Sequence, residues 1–322
     1  MTYSRIAGTG RYLPEKILTN FDLEKMVETS DEWIRTRTGV ERRHIAAEDQ
    51  SASDLSVEAA KVAMDDAGVS PEDIDMVIIG TTTPDLVFPN IATIVQHRLG
   101  IPACPAFSLE TACSGFIYAL STADKFIKAD GAKCVLVVGV ECLTRLIDWS
   151  DRNTCVLFGD GAGAVIVKPS DEPGILSTHL GADGQYKDLL YYPSGPSRDL
   201  DKAGTKEVGI MMTGNEVFKV AVKTLGNVAT KALEDAGIEQ SELDWLVPHQ
   251  ANIRIIQATA KRLDLPMEKV IVTVQDHGNT SAASVPMALD VGVRDGRIKR
   301  GQLVLMEAFG GGFTWGSVLM RF

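Results

Sequence analysis

Cys113 lies in Glu110-Thr111-Ala112-Cys113-Ser114-Gly115, between a short apolar run with strand character (106–109) and a long apolar segment (116–127). The thiol therefore sits where a strand turns into a buried helix. The first turn of a helix carries unpaired N–H groups and the positive end of the helix dipole. A thiol held there gives up its proton more easily and becomes a nucleophile near neutral pH. The competing reading is a small apolar side chain packed in a core, as most free cysteines are. The residues around Cys113 leave both readings open.

Three stretches of the second half could supply partners. Val247-Pro248-His249-Gln250-Ala251-Asn252 sets an imidazole just past a buried strand and just before a helix. In α/β sheets ligands gather at such carboxyl ends. Asp276-His277-Gly278-Asn279-Thr280-Ser281-Ala282-Ala283 follows a strand expected over 270–274 and opens a helix expected over 281–293. Asn279 and Thr280 would also serve as ordinary N-caps. His277 reads as a structural or solvent-facing ring. The third stretch is Glu307-Ala308-Phe309-Gly310-Gly311-Gly312-Phe313. Its glycines let the backbone approach a ligand and expose N–H groups. A strand expected over 314–320 follows, not a helix, which argues against a phosphate loop. The same objection removes Gly159-Asp160-Gly161-Ala162-Gly163 as a dinucleotide site. An oxyanion hole fits better, with a glycine N–H paired with the N–H of Cys113. A Cys with His and Asn also serves papain-like proteases.

The elements that must hold these groups alternate between strand and helix, the pattern of an α/β fold. Strands are expected over 5–13, 75–80, 134–140, 164–167 and 174–180. Those at 75–80 and 134–140 show no polar alternation, the mark of a parallel sheet covered on both faces. Helices are expected over 20–27 with Asn20 as cap, from Ser30 or Asp31 with Trp33 as anchor, over 51–67 closed by Gly68, and over 90–99. An internal repeat pairs Lys61-Val62-Ala63-Met64-Asp65-Asp66-Ala67-Gly68 with Lys231-Ala232-Leu233-Glu234-Asp235-Ala236-Gly237, and Gly68 and Gly237 lie 169 positions apart. Residue 249 then corresponds to Gly80, and the apolar run at 134–140 to that at 303–308. Two copies of one αβ unit are expected, 1–170 carrying Cys113 and 171–322 carrying His249 and Asn279, with the site between them. Residues 193–213 read as a surface loop leading to a long helix from Gly214.

Of 322 residues, 45% are apolar and 23% charged, the mix of a globular enzyme with a large core. A net charge of −11 and a pI near 5.0 argue against nucleic acid as main partner. The sequence shows neither a transmembrane run nor the apolar stretch of a signal peptide, so a cytoplasmic protein is expected. Five irregularly spaced cysteines do not read as a disulfide framework, and no metal-ligand spacing is visible.

Together these stretches closely resemble the thiolase superfamily and, within it, the β-ketoacyl-acyl carrier protein synthase III family. The resemblance covers essentially the whole chain. It is carried by Thr29-Ser30-Asp31-Glu32-Trp33-Ile34, Ala112-Cys113-Ser114-Gly115-Phe116, Phe158 to Ala164, Val247 to Asn252, His277 to Pro286 and Glu307 to Trp315. It implies a thiolase-like fold of two duplicated αβ halves in layered α-β-α-β-α order. It also implies condensation of an acyl-CoA, typically acetyl-CoA, with malonyl-acyl carrier protein, the step that starts type II fatty acid synthesis. Cys113 would carry the acyl group in a ping-pong cycle, with Cys113 and Gly311 as the oxyanion hole. His249 and Asn279 would hold the enolate oxygen. A related condensing enzyme of secondary metabolism, or one using a longer primer, is the alternative. A biosynthetic thiolase would need a second catalytic cysteine in the last third, and none follows Cys155.

The resemblance further implies that the CoA adenine stacks between Trp33 and Arg152, with Thr29 and Arg37 nearby. Gly214, Phe218, Ala251, Asn252 and Arg254 would line the pantetheine tunnel. Phe88 would reach across a homodimer and limit acyl length. Lys219, Arg254, Lys261 and Arg262 form a basic face suited to an acidic carrier protein. CoA thioester enters as substrate, and no cofactor is implied. Glu110 departs from the small apolar residues common before the cysteine and leaves primer preference open.

Overall fold

The computed structural model describes residues 2–198 and 208–322. The chain opens with β1 (Tyr3–Tyr12). A hairpin of β2 (Lys16–Thr19) and β3 (Arg42–Ile45) then encloses α1 (Asn20–Leu23) and α2 (Asp31–Thr38). Next come α3 (Ala52–Ala67), β4 (Met76–Gly80), α4 (Ile91–Leu99), β5 (Ala106–Leu109), α5 (Gly115–Lys128), β6 (Val135–Cys142) and β7 (Asp160–Ser170). β8 (Ile175–Ala182) leads to a short pair, β9 (Leu190–Tyr191) with β10 (Met211–Met212). The remainder is α6 (Gly214–Ala236), β11 (Trp245–Pro248), α7 (Ile253–Arg262), α8 (Val274–His277), α9 (Ser284–Arg294), β12 (Leu303–Gly310) and β13 (Thr314–Arg321). Of the loop expected over 193–213, residues 199–207 lie outside the described residues.

Strands β4 and β6 are buried at every position, so both their faces need cover. They form the parallel centre of a sheet in the order β1-β7-β6-β4-β5, in which β7 runs antiparallel to both its neighbours. The second sheet has the order β11-β12-β13-β8. Its parallel pair is β11 with β12, and β13 is antiparallel to β12 and β8. Both sheets are thus mixed, where the apolar runs alone suggested a parallel one.

Three packed cores stack these sheets. Helices α3 and α4 cover the outer face of the first sheet through Leu55, Ala63, Ile91 and Val95. Helices α5 and α9 lie between the sheets, where Phe116, Ile117, Leu120, Val285 and Leu289 meet both inner faces. Helices α6 and α7 close the second sheet through Ala229, Leu233, Ile256 and Ala260. The layers run α-β-α-β-α, as the resemblance implies. Among the described residues no helix is long and apolar enough to cross a membrane.

Two local expectations change. Residues 270–274 form no strand: Val270 makes one bridge to Leu246, and α8 begins at Val274. The buried Gln250 side chain takes over the backbone groups a strand would pair. Its Oε1 accepts from the N–H groups of Thr273 (2.8 Å) and Val274 (3.1 Å), and its Nε2 donates to the Ile271 carbonyl (3.1 Å). Asn20 is not a cap; Thr19 is. Asn20 is buried, and its amide bridges Arg43, Asp31 and the Val40 carbonyl. Ser30 caps α2 as expected, accepting from the Trp33 N–H at 3.1 Å.

Candidate active site

Cys113 occupies a single 3₁₀ turn, Ala112–Ser114, that continues into α5. The matching turn of the second half, Ser281–Ala283, continues into α9. The two turns pack against each other. Each opens on a residue with a left-handed backbone, Ala112 at φ 46° and Ser281 at φ 48°. Non-glycine residues in that region carry strain that a surrounding structure must impose. The imposing contacts come from strands that approach closely at glycines. A methyl on Gly310 of β12 would stand 2.6 Å from the Cys113 nitrogen, and one on Gly139 of β6 would collide with the Ala282 carbonyl.

Cys113, His249 and Asn279 line one cavity of about 530 Å³. His249 leaves the end of β11, where its N–H donates to the Glu307 carbonyl of β12 at 2.8 Å. Its Nδ1 lies 2.6 Å from the Ser284 hydroxyl at the start of α9. Burial lowers its pKa to about 3, so the ring is neutral at physiological pH. With Ser284 donating to Nδ1, the proton of the neutral ring sits on Nε2. Ser284 was not singled out by sequence, though it stands in the stretch that follows Asn279. The Asn279 Oδ1 accepts from the Ser281 N–H at 2.9 Å, which leaves its amide NH₂ to donate. The Asn279 backbone is clamped to the loop before β7, donating to the Leu157 carbonyl (2.8 Å) and accepting from the Gly159 N–H (3.0 Å).

The thiol departs from expectation. Cys113 is 7% exposed, and burial pushes it up to about 12, with the nearby Glu141 carboxylate adding to the rise and Ser281 opposing it. The resting side chain is therefore a thiol. His277 is buried between the halves rather than solvent-facing, and burial lowers it to about 4.

The same cavity is lined by Trp33, Arg37, Gly214, Phe218, Ala251, Asn252 and Arg254; Thr29 and Arg152, expected with them to hold CoA, are not in its lining. The Arg152 and Arg37 guanidinium carbons lie 4.8 and 5.5 Å from the Trp33 ring centroid, and that of Arg254 lies 5.4 Å from the Phe218 ring. An adenine between Trp33 and Arg152 needs two contact separations of about 3.5 Å each, so one would fit only with Arg152 moved outward. Thr29 presents a buried hydroxyl with no partner near this slot.

A second cavity of about 640 Å³ meets the first at Cys113, Phe158 and Leu190. Gly311, Leu143, Leu146, Ile210 and the exposed Glu110 line it. Phe88 does not; it stands 83% exposed beside Val87 (67%) and Leu86 (51%). Lys219, Lys261 and Arg262 are exposed on α6 and α7 as expected, and Lys223 joins them one turn beyond Lys219. The i,i+4 spacing of Lys219 and Lys223 was the signal for it.

Glu307 is a carboxyl without a hydrogen-bond partner, adjoining the end of the strand that leads to the site. Both its oxygens are buried without a partner, and burial pushes its pKa up from 4.5 to about 8. The folded chain thus holds a proton there that the unfolded chain gives up above pH 4.5. Stability contributed by this group is present below about pH 4.5 and is lost as pH rises to about 8. Glu307→Gln is expected to raise the thermal midpoint at pH 8.5 by about 5 °C, and the gap should close at pH 5. Calorimetry at the two pH values checks this.

Two family models match the chain: 3-oxoacyl-[acyl-carrier-protein] synthase III over residues 107–184 and its C-terminal counterpart over residues 233–322. A curated relative from Thioalkalivibrio sulfidiphilus, named beta-ketoacyl-[acyl-carrier-protein] synthase III, is 61% identical over 322 residues and is covered in full, as is this chain. The crystal structure of 3-oxoacyl-[acyl-carrier-protein] synthase III from Aquifex aeolicus superposes with a TM-score of 0.93 at 50% identity, covering 99% of this chain and 100% of that one. The priming β-ketosynthase of the R1128 polyketide pathway superposes at 0.94 with 38% identity, covering 99% and 96%.

Proposed function

Because this chain belongs to the β-ketoacyl-[acyl-carrier-protein] synthase III family, we propose that its initiating condensation of fatty acid synthesis runs through Cys113, His249 and Asn279. The observation that carries this reading is their convergence on one cavity. Cys113 takes the acyl group from CoA, and the N–H groups of Cys113 and Gly311 receive the tetrahedral oxyanion. Malonyl thioester then enters and loses carbon dioxide. The enolate oxygen accepts hydrogen bonds from Nε2–H of the neutral His249 and from the Asn279 amide. Both donors stay uncharged near neutral pH, so neither competes for the proton. The enolate carbon attacks the acyl-cysteine and frees it.

CoA lies along the cavity from Trp33 to Cys113, its adenine between Trp33 and Arg152. Thr29, Arg37, Gly214, Phe218, Ala251, Asn252 and Arg254 complete that path. The acyl chain extends into the cavity beyond Cys113. The exposed run Leu86-Val87-Phe88 is apolar enough to be covered by a second copy of the chain, so a homodimer in which Phe88 limits the partner cavity fits it. The setting is cytoplasmic. Lys219, Lys223, Arg254, Lys261 and Arg262 receive the acidic carrier protein. Lys219→Glu with Lys261→Glu is expected to raise KM for malonyl-acyl carrier protein about tenfold, the size of two exposed charge contacts of under 1 kcal/mol each. KM for acetyl-CoA should not change, and steady-state kinetics with each substrate varied separates the two.

The activity itself is tested by a panel of acyl-CoA primers with malonyl-acyl carrier protein. Acetyl-CoA should give β-ketoacyl carrier protein and free CoA in equal amounts. Failure with every primer would sink the reading. A best rate with a longer primer would favour the polyketide-type alternative, toward which the roomy cavity beyond Cys113 points.

A further inference from the structure

Glu141 stands next to last in β6 as the one carboxylate of an otherwise apolar strand, fully buried, and β6 packs against the Ser281–Ala283 turn. Its oxygens gather donors from two loops. The Thr83 hydroxyl donates at 2.7 Å, the Thr82 N–H and hydroxyl at 3.2 and 3.1 Å, and the Thr81 hydroxyl at 3.4 Å. The Ser281 hydroxyl donates to Oε1 at 3.2 Å. Ser281 also lines the cavity beside Cys113 and opposes the rise of the thiol's pKa. Its turn packs against the turn that carries Cys113. The Ser281 hydroxyl thus joins the cavity at Cys113 to Glu141 Oε1.

We propose that Glu141 accepts the Cys113 proton through the Ser281 hydroxyl during acyl transfer. This rests on Cys113 being the nucleophile. The S–H bond breaks as Ser281 takes that proton and passes its own to Glu141. The electron pair left on sulfur forms the bond to the acyl carbonyl. Collapse of the tetrahedral intermediate expels CoA thiolate, which takes up one proton as Glu141 gives one back. The net change is one proton moved from cysteine to CoA thiol.

Two further facts support the relay. Burial pushes the Glu141 carboxyl up to about 7 while its hydroxyl and N–H donors oppose the rise, so it exchanges a proton near working pH. The titratable groups that feel its charge are Cys113 and Cys142, both pushed up by burial and thus protonated at rest. Its other neighbours, Thr81, Thr82, Thr83 and Ser281, contribute only hydroxyls and N–H groups.

The test is single-turnover acylation by acetyl-CoA, followed by mass spectrometry of the Cys113 peptide across pH 5.5–9. In the wild type the rate should rise with pH through about 7. Glu141→Gln should slow acylation about 100-fold, abolish that rise and leave CoA affinity unchanged. Glu141→Asp should recover part of the rate. Ser281→Ala should match Glu141→Gln, and the double variant should be no slower than either. A folded Glu141→Gln chain with the wild-type rate and profile overturns the relay. If Glu141→Gln does not fold, a wild-type rate and profile in Ser281→Ala overturns it instead. A wild type that never acylates Cys113 removes the nucleophile reading and the relay with it.

Discussion

Cys113→Ser is expected to abolish acyl-enzyme formation, lowering turnover by about 10⁵-fold, the scale on which nucleophile deletions act. Burial already pushes the thiol up to about 12. A hydroxyl in the same turn ionises less readily still, and the neutral oxygen is a poorer nucleophile than sulfur. The backbone should tolerate the change, because the turn is fixed by Gly310, Gly139 and the Ser281–Ala283 turn rather than by the sulfur. Intact-mass analysis after acetyl-CoA treatment reads the outcome directly. A serine variant that still gains an acetyl group at position 113, or an active wild type with Cys113 unmodified, would remove the mechanism. Iodoacetamide gives a companion reading, since bound CoA should protect Cys113.

Asn279→Ala should separate the two halves of the cycle. Acyl transfer from CoA should fall less than tenfold, while decarboxylative condensation falls about 10²–10³-fold, the cost of losing one oxyanion donor. The amide that donates is fixed, because its oxygen is already engaged by the Ser281 N–H. Its loss leaves the enolate with His249 alone. Carbon dioxide release from malonyl-acyl carrier protein, measured on pre-acylated enzyme, isolates the second half. Equal loss in both halves would show that Asn279 organises the site rather than binding the enolate.

Much of this site was legible because burial writes itself in apolar runs. The strand–turn–helix around Cys113, the strand end before His249 and the 169-residue repeat all follow from that pattern. Other features depend on contacts that no local pattern carries. The run at 270–274 reads as a strand, yet Gln250 from another segment claims its backbone groups. The left-handed Ala112 and Ser281 have ordinary side chains, so nothing local marks them. Helix-terminus reasoning led to a thiol with a lowered pKa, because desolvation by distant segments cannot be read from neighbours in sequence. Glu141 did leave a sign: a lone carboxylate near the end of an apolar strand must be buried with donors around it.

The paired turns at Cys113 and Ser281 are copies in backbone and opposites in duty. Ala282, fully buried, stands 169 positions after Cys113, so the second copy has no thiol there; its Ser281 gives its hydroxyl to Glu141 of the first half and its N–H to Asn279 of its own. Two equal halves thus make one reactive centre, not two. Because each turn braces the other, a change in either half shifts the geometry of the single centre.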